Sequence, residues 1–105
     1  MNIDIKSDGR NAVAILSGEI DHHNAKEIRE ELDRYILSEQ PKELSMDFKG
    51  ISFMDSSGIG LIMGRHKLIS ECGGSLIVRN PQQYIKRVLK ISGIERLVKI
   101  INDKV

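Results

Sequence analysis

Residues 52–69 read SFMDSSGIGLIMGRHKLI. An extended apolar run closes at Met54, and from Ile59 onward the apolar residues recur at helical spacing. A strand that passes straight into a helix belongs to an α/β chain, and the neighbouring segments supply further strand and helix units. Upstream, ELSMDF at 43–48 alternates through Leu44, Met46 and Phe48. Downstream, Ile59, Ile62, Met63 and Ile69 are expected to face inward on a helix that stops at Gly73-Gly74.

The same reading extends to both ends. Ile3 and Ile5 alternate with polar neighbours, SDGRN supplies turn chemistry, and AVAILSG follows. These predict two antiparallel strands, the second apolar on both faces and therefore central. Residues 24–39 carry Ala25, Ile28, Leu32, Tyr35 and Ile36 on one helical face, with Asn24 and Glu27 as a capping pair and Pro41 ending the helix. SLIVRN reads as a strand. Asn80 is expected to cap a third helix with Pro81 at its first position, Tyr84, Ile85, Val88 and Leu89 inward and Gly93 after its end. LVKII is a last short strand. The order β-β-α-β-α-β-α-β predicts an α/β fold with a mixed β-sheet and helices packed on it, as a single domain over 1–105.

Composition bounds the function. A chain of 105 residues holds one core, and with aromatics at 4% that core must be aliphatic. The formal net charge of +1, with no basic run, disfavours a nucleic-acid binder, which must neutralise phosphates. No apolar run approaches the ~20 residues of a membrane span, and MNIDIKSDGR has no signal-peptide character. Cys72, the single cysteine, excludes an intramolecular disulfide and is expected to be buried and inert. A cytoplasmic location is the expectation.

The serine pair Ser56-Ser57 admits several chemistries. A serine at a strand-to-helix junction is a common N-cap, and Asp55 beside it suits the positive end of the helix dipole. That account leaves Gly58, Gly60 and Gly64 unexplained, since each costs on the order of 1 kcal/mol relative to Ala inside a helix. Something must approach this backbone closely: the sheet, a phosphate or a partner. A nucleotide loop is disfavoured, because GIGLIMGRHK matches neither G-x-x-x-x-G-K-[ST] nor G-x-G-x-x-G. Serine catalysis is disfavoured too. The G-x-S-x-G elbow is missing, and His66 lies ten residues past Ser56, roughly 15 Å along a helix. His22 or His23 could come nearer from the loop after the second strand, but DHH lacks metal-ligand spacing, and no metal or other cofactor is expected. Reversible phosphorylation needs an exposed hydroxyl at a rim and an interface that two negative charges would upset. Local physics leaves the cap and the phospho-acceptor both open.

The stretch SFMDSSGIGLIMGRHKLI, with LSGEIDHHNA at 16–25 and KRVLKISGIERLVKI at 86–100, resembles the bacterial anti-sigma factor antagonists of the STAS domain family, especially the sporulation type. The resemblance covers nearly the whole chain. It implies a protein without enzymatic activity that binds an anti-sigma factor with serine kinase activity and so frees a sigma factor. It also implies that Ser56 is the phosphorylated residue, that a serine phosphatase restores the active form, and that the free protein is a monomer. Asp21 and His22, with Asp55, Ser57, Gly58 and Ile59, are implied as partner-binding residues. A STAS switch in a stress-response pathway and a small serine-dependent enzyme are the alternatives carried forward. A transporter's regulatory STAS domain fits less well, because the chain has no membrane segment.

Overall fold

The computed structural model describes residues 1–103, so the last two residues of the expected 1–105 domain lie outside the described residues. Five strands form one sheet in the order β1-β2-β3-β4-β5. Strands β1 (Asn2–Asp8) and β2 (Asn11–Ile20) form a hairpin whose register pairs Asp8 with Asn11, leaving a two-residue turn with Gly9 at φ 66°. Strands β3 (Glu43–Met54), β4 (Ser75–Arg79) and β5 (Lys99–Ile101) then add in parallel. Between them run α1 (Ala25–Glu39), α2 (Ser56–Glu71) and α3 (Gln83–Ser92), with a short 3-10 turn at Ile94–Arg96 before β5. The expected α/β architecture and element order hold.

One core unites the elements. Ala14 and Leu16 of β2, Leu44, Met46 and Phe48 of β3, and Leu76 and Val78 of β4 are buried. They join Ile28, Leu32 and Ile36 of α1, Ile62 and Ile69 of α2, and Ile85 and Leu89 of α3 in a single cluster. Fully burying such an aliphatic side chain contributes roughly 1.5–3 kcal/mol, which lets a nearly aromatic-free core suffice.

The structure corrects several sequence expectations. Strand β2 is interior, paired with β1 on one edge and β3 on the other, and β3 is the middle strand of the five described. Strand β2 buries one face only, with Ile15 38% exposed on the other. Strand β3 also runs six residues past the alternating ELSMDF segment, because register shifts opposite Ile15–Ser17 and Gly18–Glu19 interrupt its pattern without ending its pairing. In α2, Met63 points outward at 42% exposure, while Leu61 and Arg65 are buried.

The helix caps differ as well. Asn24 makes no side-chain cap. Asp21 organises this end instead, its backbone oxygen accepting from Ala25 N–H at 3.0 Å and its carboxylate from Asn24 N–H at 3.1 Å. Asn80 does not cap α3, which starts at Gln83. It takes a left-handed φ of 57° and donates through Nδ2 to Asp103 at 3.0 Å, tying down the C-terminal end. Tyr84, expected inside, is 41% exposed. Cys72 is a free thiol at intermediate burial rather than a fully buried one.

Candidate functional site

The parallel pairing of β2 and β3 sets Ile20 opposite Met54, so the chain leaves both strands at the same end of the sheet. Loops at the carboxyl ends of adjacent parallel strands are where α/β folds place binding sites. Here they hold Asp21–Asn24 on one side and Asp55–Ser57 on the other. Asp55 N–H donates to the Ile20 carbonyl at 3.1 Å, and His22 N–H donates to Asp55 Oδ2 at 3.2 Å. Asp55 is thus the strut that fixes the two loops together.

Asp55 is also the N-cap of α2, in extended conformation (φ −95°, ψ −171°), a role that local sequence leaves open to a serine. Its Oδ1 accepts from Ser57 N–H at 2.9 Å and from the Ser57 hydroxyl. These two bonds from Ser57, then the N–H and charge of His22, hold the Asp55 carboxyl below its ordinary value against the opposing effect of desolvation. A carboxylate at a helix N-terminus also meets the positive end of the dipole.

The two serines are therefore not equivalent. Ser57 is half-buried with its hydroxyl committed to Asp55, whereas Ser56 is exposed on the first turn, outside that network. Residues Ser56, Gly60, Met63 and Lys67 follow at i, i+4, i+7 and i+11, and all four are exposed. Half-buried Ile59 flanks this stripe. Phe53, 42% exposed, points away from the core just before Asp55. Phe53 and Met63 are apolar surface residues at this site that sequence reasoning missed, since adjacent apolar residues such as Phe53-Met54 and Leu61-Ile62-Met63 do not mark which of them face solvent.

The glycines divide into two kinds. Gly58 is buried, and a Cβ there would sit inside van der Waals contact of Met54 Cγ and Sδ. Its smallness serves the packing of α2 on β3, so Gly58 offers no surface to a partner. Gly60 and Gly64 differ: a Cβ at either would meet nothing within 4 Å. Met54, the side chain that fills the Gly58 gap, is held in turn by Tyr84. The Tyr84 hydroxyl accepts from Met54 N–H at 3.0 Å and lies 3.4 Å from its carbonyl, linking α3 to the strand that enters the site.

Of the remaining predicted residues, Asp21 is half-buried with its carboxylate spent on His23 N–H (2.9 Å) and Asn24 N–H. His22 is exposed and meets Asp55 through its backbone, its ring lying edge-on to His23 at 5.9 Å. Among the described residues no imidazole is hydrogen-bonded to Ser56 or Ser57. The residue that engages the Ser57 hydroxyl is the Asp55 carboxylate, the cap of α2.

Beside this turn, Arg65 is buried between α1 and α2, its Nε 2.7 Å from Asp33 Oδ1. Burial lowers the guanidinium's proton affinity, Asp33 restores part of it, and nearby Arg29 acts in the same direction as burial.

This fold and this junction define a STAS domain: the STAS family model matches residues 2–104, and the chain belongs to that family. It is 36% identical to an anti-sigma F factor antagonist of Paenibacillus polymyxa, covering all of this chain and 92% of that protein. It is 33% identical to an anti-sigma-B factor antagonist of Bacillus subtilis, covering 95% and 90%. Among solved structures it resembles the anti-sigma factor antagonist SpoIIAA in its unphosphorylated form, at 29% identity and TM-score 0.85 over 98% of this chain and 89% of that one. The phosphorylated form of Bacillus SpoIIAA matches at 28% identity and TM-score 0.77 over 98% and 92%. No helix among the described residues is long and apolar enough to cross a membrane.

Proposed function

We propose that this protein is an anti-sigma factor antagonist whose unphosphorylated form binds an anti-sigma factor with serine kinase activity, and whose release follows phosphorylation of Ser56. The observation that carries the reading is the asymmetry of the serine pair. The Ser57 hydroxyl is bonded to Asp55, while that of Ser56 is exposed at the head of an exposed helical stripe. A phosphate on Ser56 adds up to two negative charges at a helix N-terminus, where the dipole and free N–H groups tolerate them. The adjacent Asp55 carboxylate, kept ionised by its own bonds, offsets part of that tolerance. The domain keeps its fold, and the charge falls on whatever covers Ser56, Ile59, Gly60 and Met63.

Like-charge or unpaired-charge contacts at an interface cost several kcal/mol, and every 1.4 kcal/mol is about tenfold in affinity. That suffices for a binding switch without refolding. A serine phosphatase would reset it. The similarity to both F-type and B-type antagonists supports the class, and the longer and higher-identity match to the F type favours the sporulation pathway over the stress-response one. The reading is of a cytoplasmic binding protein, monomeric when free, over one domain of 1–105 and needing neither metal nor cofactor.

The test is Ser56→Asp. It is expected to weaken binding to the anti-sigma factor by at least about tenfold while leaving the circular dichroism spectrum unchanged. A variant that binds like the parent, or one that unfolds, would count against an interface switch.

A further inference from the structure

A groove of about 340 Å³ opens between α1 and α2 directly beside the serine turn, lined by Ala25, Arg29, Ser57, Gly60, Leu61 and Arg65. Two features of this groove point to an occupant. The first is Gly60: a glycine inside a helix weakens it, yet a Cβ at this position would meet no atom within 4 Å. The fold would accept a side chain here and does without one.

The second is the charge balance. Arg65 is only 6% exposed, and among the described residues Asp33 is the carboxylate that pairs with it. Arg65 Nε meets Asp33 Oδ1 at 2.7 Å, while among the described residues the buried Arg65 Nη1 has no hydrogen-bond acceptor. Exposed Arg29 lines the same groove. Two guanidinium groups therefore line a groove whose other lining is Ala25, Gly60, Leu61 and the Ser57 turn, and of the two only Arg65 is paired with a carboxylate among the described residues. Guanidinium groups left short of acceptors in an apolar setting favour a planar anionic partner.

We propose that this groove receives an acidic side chain, Asp or Glu, of the anti-sigma factor. Its aliphatic stem lies against Ala25, Gly60 and Leu61, and its carboxylate meets Arg29 at the rim with Arg65 behind. The proposal rests on the antagonist reading above and adds a second anchor to it. Ser57 lines the groove and belongs to the cap network of Asp55, so the groove is continuous with the surface around Ser56. One partner then reads both the hydroxyl of Ser56 and the positive groove beside it.

The experiment is calorimetric titration of the purified anti-sigma factor kinase from the same organism with the parent protein, Arg29→Glu, Arg29→Lys and Gly60→Leu. Arg29→Glu and Gly60→Leu are each expected to weaken binding at least about tenfold, and Arg29→Lys by less, with melting temperatures at or above the parent's for Gly60→Leu. Changing the matching acidic residue of the anti-sigma factor to Lys is expected to restore binding to Arg29→Glu. If the parent binds and both variants bind equally well, the groove lies outside the interface and the proposal falls while the antagonist reading stands. If only Gly60→Leu weakens binding, the occupant carries no carboxylate and the proposal is again overturned. A parent protein that does not bind overturns both.

Discussion

Replacing Gly58 by Ala tests how α2 is seated on the sheet. The new methyl group would overlap Met54 Cγ and Sδ and reach Cε at 3.4 Å. Sδ and Cε could swing aside by a terminal rotation, but Cγ is set by the first side-chain torsion, and Met54 is only 3% exposed. Relief therefore requires a rotamer change in the core or a lift of the first turn of α2. Overpacking of this kind costs about 1–3 kcal/mol. Ala gains up to about 1 kcal/mol of helix propensity over Gly. The net expectation is a destabilisation of about 1–2 kcal/mol, a fall in melting temperature of about 5–15 °C for a domain of this size. Gly60→Ala is the matched control, because its methyl group meets nothing within 4 Å. It should raise the melting temperature by about 3–8 °C. Thermal denaturation followed by circular dichroism reads both. A Gly58→Ala protein that melts at or above the parent would refute the packing argument.

Two further substitutions test the site. Asp55→Asn should lower the melting temperature at neutral pH, because the ionised carboxylate is the form that Ser57 and His22 stabilise. Asp55's contribution is complete above the ordinary carboxylate value and is lost as pH falls through its lowered folded-state value. The gap between parent and Asp55→Asn should therefore close in acid, and a gap that widens there would contradict the assignment. Tyr84→Phe removes the acceptor of Met54 N–H and should cost about 1 kcal/mol. Hydrogen exchange should then quicken at the Met54 amide, and unchanged protection at that amide would show that the hydroxyl is not its partner.

Much of this architecture is legible in the residues, and the misses have physical causes. The alternation of Leu44, Met46 and Phe48 and the helical spacing of Ile28, Leu32 and Ile36 reveal their elements, because one face of each is buried. Leu61, Ile62 and Met63 are three apolar residues in a row, so periodicity cannot fix the phase of α2. That phase depends on Gly58 fitting over Met54, a long-range fit invisible in local pattern. The Asp-Ser-Ser-Gly turn stands out as a site in the sequence. That Asp55 also ties this turn to the Asp21–Asn24 loop depends on β2 and β3 ending side by side, a long-range fact that local pattern does not carry. Arg65 gave no signal at all, since an arginine in a helix ordinarily reads as surface.

In the proposed function Ser56, and not its neighbour, carries the switch. Incubating the protein with its anti-sigma factor kinase and ATP, then mapping the phosphate by mass spectrometry, tests it most directly. Phosphate should appear on Ser56, persist in Ser57→Ala and vanish in Ser56→Ala, and the modified protein should no longer bind the kinase. Phosphate on Ser57, or none from a kinase that binds the protein, would contradict the account.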